Sequence, residues 1–324
     1  MNPNFKHNLE IIDEINLYKK FEVYKSFKDN QEYIALIKRN NLDIFSILNN
    51  KKILSLKGNK SIINIIRYFI NNETLNEYLI SSDYDRIIII WDITNNYNVK
   101  QKIDMQLIPD FMIYSCLLIF THNKDDYIIS TAINSEEEYD ESSTKIYLFN
   151  SGNYLREIKI SNILMVYYLL SWYNKNNDNY YIIQNCNSKI LINNLFEEKL
   201  YCEFVDKIES YFYKGFIYNK DNNDYLCCCS TNGYINIWDL YNKKIFKVIY
   251  LNRYFTDIIH WNDNYIIAIV NTGKNCEIVD IDNKKIISNI ESEDGFKCIK
   301  KIYHPIYRES LLVAGKNTIK LWCI

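Results

Sequence analysis

The residues best suited to chemistry in this chain are nine cysteines, three of which form the run Cys227, Cys228 and Cys229. Such a run could serve a metal or redox site, or it could fill a buried strand with small side chains. Free cysteine is among the most buried residue types, and the sequence has neither a CxxC pair nor a second cysteine pair at ligand spacing. The pattern therefore favours packing by reduced thiols, and we expect neither zinc nor any other cofactor.

The four histidines, His7, His122, His260 and His304, are isolated from one another along the chain. Three of them lie at expected strand ends or turns, where a polar cap is a commoner role than a general base or a metal ligand. Phosphate-cradling loops and the HExxH and GxSxG motifs are also missing from the sequence. We therefore predict that the chain is not an enzyme.

The charge of the chain limits its partners and its location. The 324 residues include 38 Lys plus Arg and 40 Asp plus Glu, and a net charge of −2 offers no positive field for a phosphate backbone. The start MNPNFKHNLEII lacks a basic segment followed by an apolar core, and no apolar run approaches about 18 residues. We therefore expect no nucleic acid, no signal peptide and no transmembrane segment, which predicts a cytoplasmic or nuclear protein.

The elements that must position these residues belong to an internal repeat of about 46 residues. A short apolar run recurs seven times, and each copy is followed, after a polar turn, by a second run with alternating apolar residues. The first runs are YIALI (33–37), YLISS (78–82), YIIST (127–131), YIIQN (181–185), YLCCC (225–229), YIIAI (265–269) and LLVAG (311–315). The second runs have their anchors at Phe45, Trp91, Phe149, Asn193, Trp238, Val279 and Trp322.

Both runs favour β-strands, because they are rich in Ile, Tyr, Val and Phe and are shorter than the roughly 10 residues expected of helices. Further apolar stretches on either side give each repeat room for four strands. Seven such antiparallel units predict an all-β protein, a seven-bladed β-propeller that fills residues 1–324 as a single domain. The blades are expected at about 21–57, 62–104, 111–160, 164–204, 210–250, 255–290 and 296–324.

Two dipeptides, Trp91-Asp92 and Trp238-Asp239, close alternating strands after polar turns, and Trp322 is a partial third match. The segment IYHP (302–305) also looks like an aromatic-His-Pro turn. On these residues the chain resembles the WD-repeat family, whose blades are joined by short turns around a central axis. The resemblance implies a WD-repeat β-propeller and a role in binding other proteins.

The same resemblance implies a hydrogen-bonded tetrad of His, Asp, Ser or Thr, and Trp in a blade. This chain has no Gly-His pair, and the turn position of the three best copies is occupied by Asp85, Asn232 and Lys316. We therefore expect incomplete tetrads and blades that are held mainly by apolar packing between sheets.

The last repeat ends on its third strand at Ile324, so its sheet needs a strand from elsewhere. Residues 9–17, LEIIDEINL, within the amino-terminal segment 1–20, offer suitable apolar positions. We expect this amino-terminal strand to close the last blade, because pairing removes an exposed sheet edge.

In a WD propeller, the turns between second and third strands and the links between blades lie on one face, called the first face below. Tyr and Arg are enriched in binding hot spots, so we expect a partner on this face, although ordinary solvated turns are the alternative. The candidate partner-binding residues are Lys38, Arg39, Tyr84, Arg86, Tyr139, Tyr234, Arg253 and Tyr254.

An acidic insertion, NSEEEYDESS (134–143), belongs to the same face and has five carboxylates. It is either a solvated loop or a docking loop for a basic partner. In the second case, phosphorylation of Ser135, Ser142 or Ser143 would deepen its negative charge.

On the opposite face, three hairpins between third and fourth strands have lysine pairs. Their combined potential would suit an acidic peptide or an anionic surface, whereas the alternative is ordinary turn chemistry in a chain rich in Lys and Asn. The candidates for this basic arc are Lys51, Lys52, Lys243, Lys244, Lys284 and Lys285.

These features predict a non-catalytic scaffold or adaptor, a subunit of a larger intracellular assembly that binds other proteins through its propeller loops. The alternative is a propeller that binds phosphoinositides at a membrane surface. The chain has no adjacent Arg pair, which is the feature that phosphoinositide-binding propellers use.

Overall fold

The computed structural model describes residues 6–12, 20–105, 111–112, 116–134, 142–160, 166–186, 188–197, 199–205, 211–262, 264–271, 273–304, 306, 308–316 and 318–323. Regular structure in these ranges consists of twenty-nine β-strands and no helix. Accordingly, the described chain contains no helix with the length and apolar character needed to span a membrane.

The strands form seven antiparallel sheets, numbered here as blades in chain order. Blade 1 contains β2 (Phe21–Lys25), β3 (Glu32–Lys38), β4 (Asn41–Ser46) and β5 (Lys51–Lys57). Blade 2 contains β6 (Ile63–Ile70), β7 (Glu77–Asp83), β8 (Ile87–Asp92) and β9 (Asn98–Asp104). Blade 3 contains β10 (Phe111–Met112), β11 (Leu117–His122), β12 (Asp125–Asn134), β13 (Ser142–Leu148) and β14 (Tyr154–Ile160), and both β10 and β11 pair with β12.

The remaining four blades follow the same order. Blade 4 contains β15 (Val166–Asn174), β16 (Asn179–Cys186), β17 (Lys189–Asn194) and β18 (Leu200–Val205). Blade 5 contains β19 (Phe212–Lys220), β20 (Asn223–Ser230), β21 (Tyr234–Asp239) and β22 (Lys244–Tyr250). Blade 6 contains β23 (Phe255–Asn262), β24 (Tyr265–Val270), β25 (Asn275–Asp280) and β26 (Lys285–Glu291). Blade 7 contains β27 (Cys298–His304), β28 (Arg308–Ala314) and β29 (Ile319–Cys323).

The fourth strand of blade 7 is β1 (Lys6–Ile12), which lies beside β29 in the order β1-β29-β28-β27. These sheets make the protein a seven-bladed β-propeller, and the predicted fold class and the predicted closure of the last blade are confirmed. The closing strand begins three residues before the expected segment 9–17, and residues 13–17 lie outside the described residues.

The chain divides into two compact units. The N-terminal unit is Ile11–Met165 with His304–Ile306, and it contains blades 1 to 3. The C-terminal unit is Met1–Glu10, Val166–Tyr303 and Tyr307–Ile324, and it contains blades 4 to 7. The single-domain interpretation and its blade boundaries stay predictions.

Within each unit, the alternation of side chains along a strand sends neighbouring residues into different interfaces between blades. Cys227 and Cys229 on β20 pack in the core against blade 6, whereas Cys228 packs in the core against blade 4. All three are fully buried, and burial raises the pKa of the Cys229 thiol to about 12. The run therefore consists of protonated, apolar filler in a buried strand, as its sequence context favours.

The tight packing around these cysteines requires a glycine at position 215 of β19, which pairs with Cys228 of β20. A Cβ atom at Gly215 would overlap Cys228 Sγ and would approach the Cys227 carbonyl oxygen to 2.6 Å. Any larger residue would therefore push β19 away from β20.

A complete polar tetrad is present in blade 2, and this corrects the expectation of incomplete tetrads. Trp91 Nε1 donates to Ser81 Oγ at 3.0 Å, Ser81 Oγ donates to Asn59 Oδ1 at 3.1 Å, and Asn59 Nδ2 donates to Asp83 Oδ2 at 2.9 Å. Asn59 thus occupies the position that the WD-repeat resemblance assigns to His. The turn carboxylate is Asp83 and not Asp85, because Asp83 Oδ1 also accepts the Ile87 N–H at 3.0 Å.

Two adjacent serines of β7 provide a test of this tetrad. Ser81 is buried and bonded to Trp91 and Asn59, whereas Ser82 is equally buried and its Oγ has no hydrogen-bond partner among the described residues. Ser81→Ala should lower the free energy of unfolding by about 1–3 kcal/mol, because it leaves buried groups unsatisfied. Ser82→Ala should change it by less than about 0.5 kcal/mol. Urea denaturation measures both values, and equal costs would contradict the tetrad.

Candidate functional site

The first-face candidates of the N-terminal unit lie in two turns between second and third strands. Lys38 and Arg39 are exposed at the β3–β4 turn, and Arg39 has a positive φ of 57°. Tyr84 is exposed and Arg86 half-buried at the β7–β8 turn, where Arg86 has a φ of 68°. The predicted turn positions are therefore occupied as expected, but their role in binding stays a prediction.

In the C-terminal unit, the β20–β21 turn and the β22–β23 link bring three first-face candidates into one region. Gly233, with a φ of 87°, lets the turn approach the link so closely that a Cβ atom would lie 2.9 Å from the Arg253 nitrogen. The ring of Tyr234 packs on Tyr250 with their centroids 4.7 Å apart. Tyr254 follows Arg253 in the link and is 59% exposed.

Arg253 is oriented by a buried carboxylate. Its Nε lies 3.4 Å from Glu277 Oε1, and the side chains of Arg253 and Glu277 are 53% and 3% exposed. Burial raises the pKa of Glu277, while the nearby Arg253 guanidinium opposes this shift. The pair joins the first-face link to β25 and holds the arginine at the surface next to Tyr254.

Two other predictions concern the insertion in blade 3. Tyr139, Ser135 and the carboxylates of the acidic segment lie in 135–141, outside the described residues. Ser143 is described and is buried in β13, where it is paired with Ala132 and Lys159. Because a kinase needs an exposed hydroxyl, the suggestion that Ser143 is phosphorylated is wrong for the folded protein.

The lysine pairs lie in hairpins between third and fourth strands, at the other end of the sheets. In the N-terminal unit, Lys51 is exposed and Lys52 pairs with Asp43 at 2.9 Å. In the C-terminal unit, the exposed pairs Lys243–Lys244 and Lys284–Lys285 belong to adjacent blades 5 and 6. The basic arc that would combine all three pairs stays a prediction.

The C-terminal unit also has a groove on its outer surface, between the fourth strands of blades 4 and 5, with a volume of about 410 Å³. Its floor includes Trp238 and Phe204, whose rings stack at 5.4 Å. Val205 of β18 and Ile245 of β22 form its walls and are 56% and 52% exposed.

This groove brings together residues that the sequence assigns to opposite faces. Tyr234, a first-face candidate, lines one end, while Lys243 and Lys244 of the predicted basic arc line the other. The connection follows from strand geometry, because β21 and β22 run from one face to the other. Alternate residues of β21 line the groove along this path, namely Tyr234, Asn236 and Trp238, and Ile245 and Val248 of β22 lie beside them. The groove was not expected from the sequence. The sequence feature that could have indicated the groove is the apolar pair Ile245 and Phe246, which follows two lysines in an outer strand.

The charge at the lysine end of the groove is positive. Lys243 Nζ donates to the Tyr201 carbonyl oxygen at 3.2 Å and lies 3.6 Å from the centroid of the Tyr201 ring. Glu203, the carboxylate of the groove wall, is neutralised by Lys189 at 2.8 Å. Within the described part of the chain, no carboxylate forms an ion pair with Lys243 or Lys244.

The described histidines have local structural contacts. The ring of His260 stacks on Tyr218 with centroids 5.1 Å apart, and His304 Nδ1 accepts the Ile306 N–H at 3.2 Å in the turn after β27. Pro305 and the side chain of His7 lie outside the description. The described chain also contains no group of three or more His, Cys, Asp or Glu residues that could hold a metal ion.

Comparison with known proteins gives structural matches only. No family model and no curated protein sequence matches this chain. BBS1N in complex with ARL6DN, soaked with mercury, is similar over 100% of this chain and 98% of that chain, at 10% identity and a TM-score of 0.72. The lead-soaked crystal of the same complex matches over 98% and 96%, at 10% identity and a TM-score of 0.69.

Raptor from Chaetomium thermophilum is similar over 99% of this chain but only 29% of that chain, at 14% identity and a TM-score of 0.75. At such identities these likenesses show the fold alone. This protein is thus a seven-bladed β-propeller similar in structure to BBS1N and to part of Raptor, and its membership of the WD-repeat family stays a prediction.

Proposed function

We propose that this protein is a non-catalytic interaction propeller, an adaptor or scaffold subunit that binds other proteins through its loops. The observation that carries the proposal is the surface formed by Arg253 and Tyr254 beside the Tyr234–Tyr250 stack. Aromatic and arginine side chains offer large contact area and directional donors, and such residues dominate the energetics of protein interfaces. Because Glu277 already orients Arg253, less side-chain entropy is lost when a partner binds.

The structural comparison supports the same proposal at the level of the fold. One similar structure is BBS1N in complex with ARL6DN, so a chain of this architecture presents a surface to another protein in that case. The Gly233 turn packs against the backbone of its link, with a Cβ position only 2.9 Å from the Arg253 nitrogen, and this contact supports the loop. Preorganised loops suit a stable binding platform.

The proposal is tested by Arg253→Ala combined with Tyr254→Ala. Loss of hot-spot residues typically costs about 2 kcal/mol or more each, so we expect recovery of bound proteins to fall at least about tenfold. The measurement is affinity purification from the native cell, quantified by mass spectrometry against the unaltered protein.

The matched control is Tyr303→Ala combined with Arg308→Ala. This exposed pair is joined by a hydrogen bond of 2.8 Å from Arg308 to Tyr303 Oη, and it lies at the opposite end of the C-terminal unit's strands. The control should retain its partners. Equal recovery with both double variants would contradict a first-face site. Sedimentation of the unaltered protein with phosphoinositide vesicles, without any protein partner, would instead support the membrane-surface alternative.

A further inference from the structure

We propose that the groove between β18 and β22 binds an extended segment of a partner protein in which an apolar side chain is flanked by carboxylates. The apolar side chain enters between Val205 and Ile245, and the carboxylates reach Lys243 and Lys244. This inference rests on the proposed protein-binding function, and it adds a second surface and the chemistry of its ligand.

The shape and lining of the groove suit an apolar side chain. Val205 and Ile245 are both more than half exposed, although they line a concave surface whose floor is the buried Trp238 and Phe204. Ligand pockets in proteins have volumes of about 300–1,000 Å³ and are mainly apolar with a few polar groups. The groove, at about 410 Å³, therefore has room for one large apolar side chain and its neighbours.

The strand beside the groove can bind the backbone of an extended segment. β22 is the last strand in the order β19-β20-β21-β22, and no described strand pairs with its outer edge. The N–H and C=O groups along such an edge can accept an added strand, which is a recurring mode of peptide recognition. Backbone pairing supplies affinity in this mode, and side-chain pockets such as this groove supply specificity.

A bulge in β22 sets the direction of the apolar side chains. The register shifts between Ile237 and Trp238, so that Ile245 pairs with Trp238 and points into the groove. The next residue, Phe246, is 50% exposed but packs on Tyr225, with ring centroids 4.7 Å apart, on the blade 6 side of the sheet. Ile245 and Phe246 are therefore adjacent and equally exposed, yet only Ile245 lines the groove.

The charges select an acidic ligand over a basic one. The wall carboxylate Glu203 is neutralised by Lys189, whereas Lys243 and Lys244 have no carboxylate partner within the described chain. Contact with the Tyr201 ring and carbonyl fixes the position of Lys243 without cancelling its charge. Complementary charges raise association rates and discriminate against partners of like charge.

The test uses a synthetic array of labelled twelve-residue peptides. Each peptide has one central Leu, Ile, Phe, Tyr or Trp flanked on either side by Asp and Glu, by Ser, or by Lys. We expect acidic peptides to bind the purified protein in fluorescence polarisation, with at least about tenfold weaker binding of the Ser and Lys series. No binding by any acidic peptide up to 1 mM (roughly 4 kcal/mol of binding free energy) would overturn the proposal.

Matched variants locate the site. Ile245→Ala should weaken binding at least about tenfold, whereas Phe246→Ala should leave it within about twofold. Replacing Lys243 and Lys244 with Glu should invert the preference toward Lys-flanked peptides, whereas Lys284→Glu with Lys285→Glu, in the corresponding hairpin of blade 6, should not. Circular dichroism checks that each variant is folded. Equal effects of the paired variants would refute the groove assignment.

Two further outcomes separate this inference from the proposed function. If the groove variants bind peptides normally while Arg253→Ala with Tyr254→Ala loses its partners, the groove proposal fails and the proposed function stands. If the synthetic peptide of residues 134–143 binds best and the protein self-associates with concentration in sedimentation, the occupant is a second copy of this chain. That result would overturn the assignment to a different partner.

Discussion

Lys214→Met is expected to lower the free energy of unfolding by about 3–5 kcal/mol, the cost typical of breaking a buried ion pair. Lys214 on β19 and Asp257 on β23 are joined at 2.5 Å between Nζ and Oδ1, and the Asp257 side chain is only 5% exposed. Asp257 also accepts the Ile258 N–H at 2.8 Å and the Ile299 N–H at 3.4 Å. Removing the lysine charge would leave this carboxylate buried without a cation, and urea denaturation measures the cost.

A double variant provides the control. Lys214→Met with Asp257→Asn removes both charges and keeps one amide oxygen, which can still accept the Ile258 N–H that Asp257 Oδ1 accepts in the protein. It should recover more than half of the loss, because no uncompensated charge remains buried. If Lys214→Met lowers the free energy of unfolding by less than about 1 kcal/mol, the ion pair contributes little to stability. A double variant no more stable than the single one would lead to the same conclusion.

The same pair predicts a dependence on pH. Burial is the largest single influence on Lys214 and lowers its pKa. The attraction and hydrogen bond of Asp257, together with smaller contributions from Cys298 and Tyr168, outweigh burial and raise the pKa overall. A raised folded-state pKa means that the stabilisation is complete below the ordinary lysine pKa of about 10.4 and is lost as pH rises through the folded value. The stability difference between the protein and Lys214→Met should therefore be constant from pH 7 to about pH 10 and shrink above it.

Deletion of residues 1–19 is expected to lower the melting temperature by about 5–10 °C, because the loss of several kcal/mol shifts a large domain by a few degrees per kcal/mol. The deleted segment contains β1, whose removal exposes the edge of β29. An unpaired edge also promotes aggregation, so light scattering should increase together with the change in the calorimetric transition.

Re-attachment of the segment tests whether pairing is the cause. Residues 1–19 fused after residue 324 through a flexible Gly/Ser linker should restore most of the melting temperature, since the same strand can then reach β29 from the other end of the chain. A fusion of the same residues in scrambled order should not. An unchanged melting temperature in the deletion would mean that β1 contributes little to blade 7.

The repeat pattern predicted most of the fold. Alternating runs anchored at Trp91, Trp238 and Trp322 lie in β8, β21 and β29, the third strands of their blades, and the closing strand was expected from the missing fourth strand of blade 7. The strands and turns within a blade depend on residues close together in sequence, because the period of two and the Asn- and Asp-rich turns specify them locally. The closing strand joins distant segments, and it was expected because the last repeat lacked a fourth strand.

The polar contacts were less predictable. The tetrad of blade 2 was missed because Asn59 replaces the expected His and precedes β6 by several residues. To recognise this tetrad, one must know that Asn59 and Ser81 are close in space. The spacing of motifs along the chain does not show this. Similarly, the pair of Lys214 with Asp257 joins two strands whose sequences contain no charge pattern that indicates a partner.

The sequence alone determined the number of blades and the strand order within them, because these follow from local alternation and from the sevenfold repeat. Only the tertiary structure decided which residues meet between blades. It placed Val205 opposite Ile245, and Tyr234 and Lys243 at two ends of one groove. The physical reason is that packing between sheets depends on the twist, the bulges and the side-chain directions of strands that are far apart in sequence.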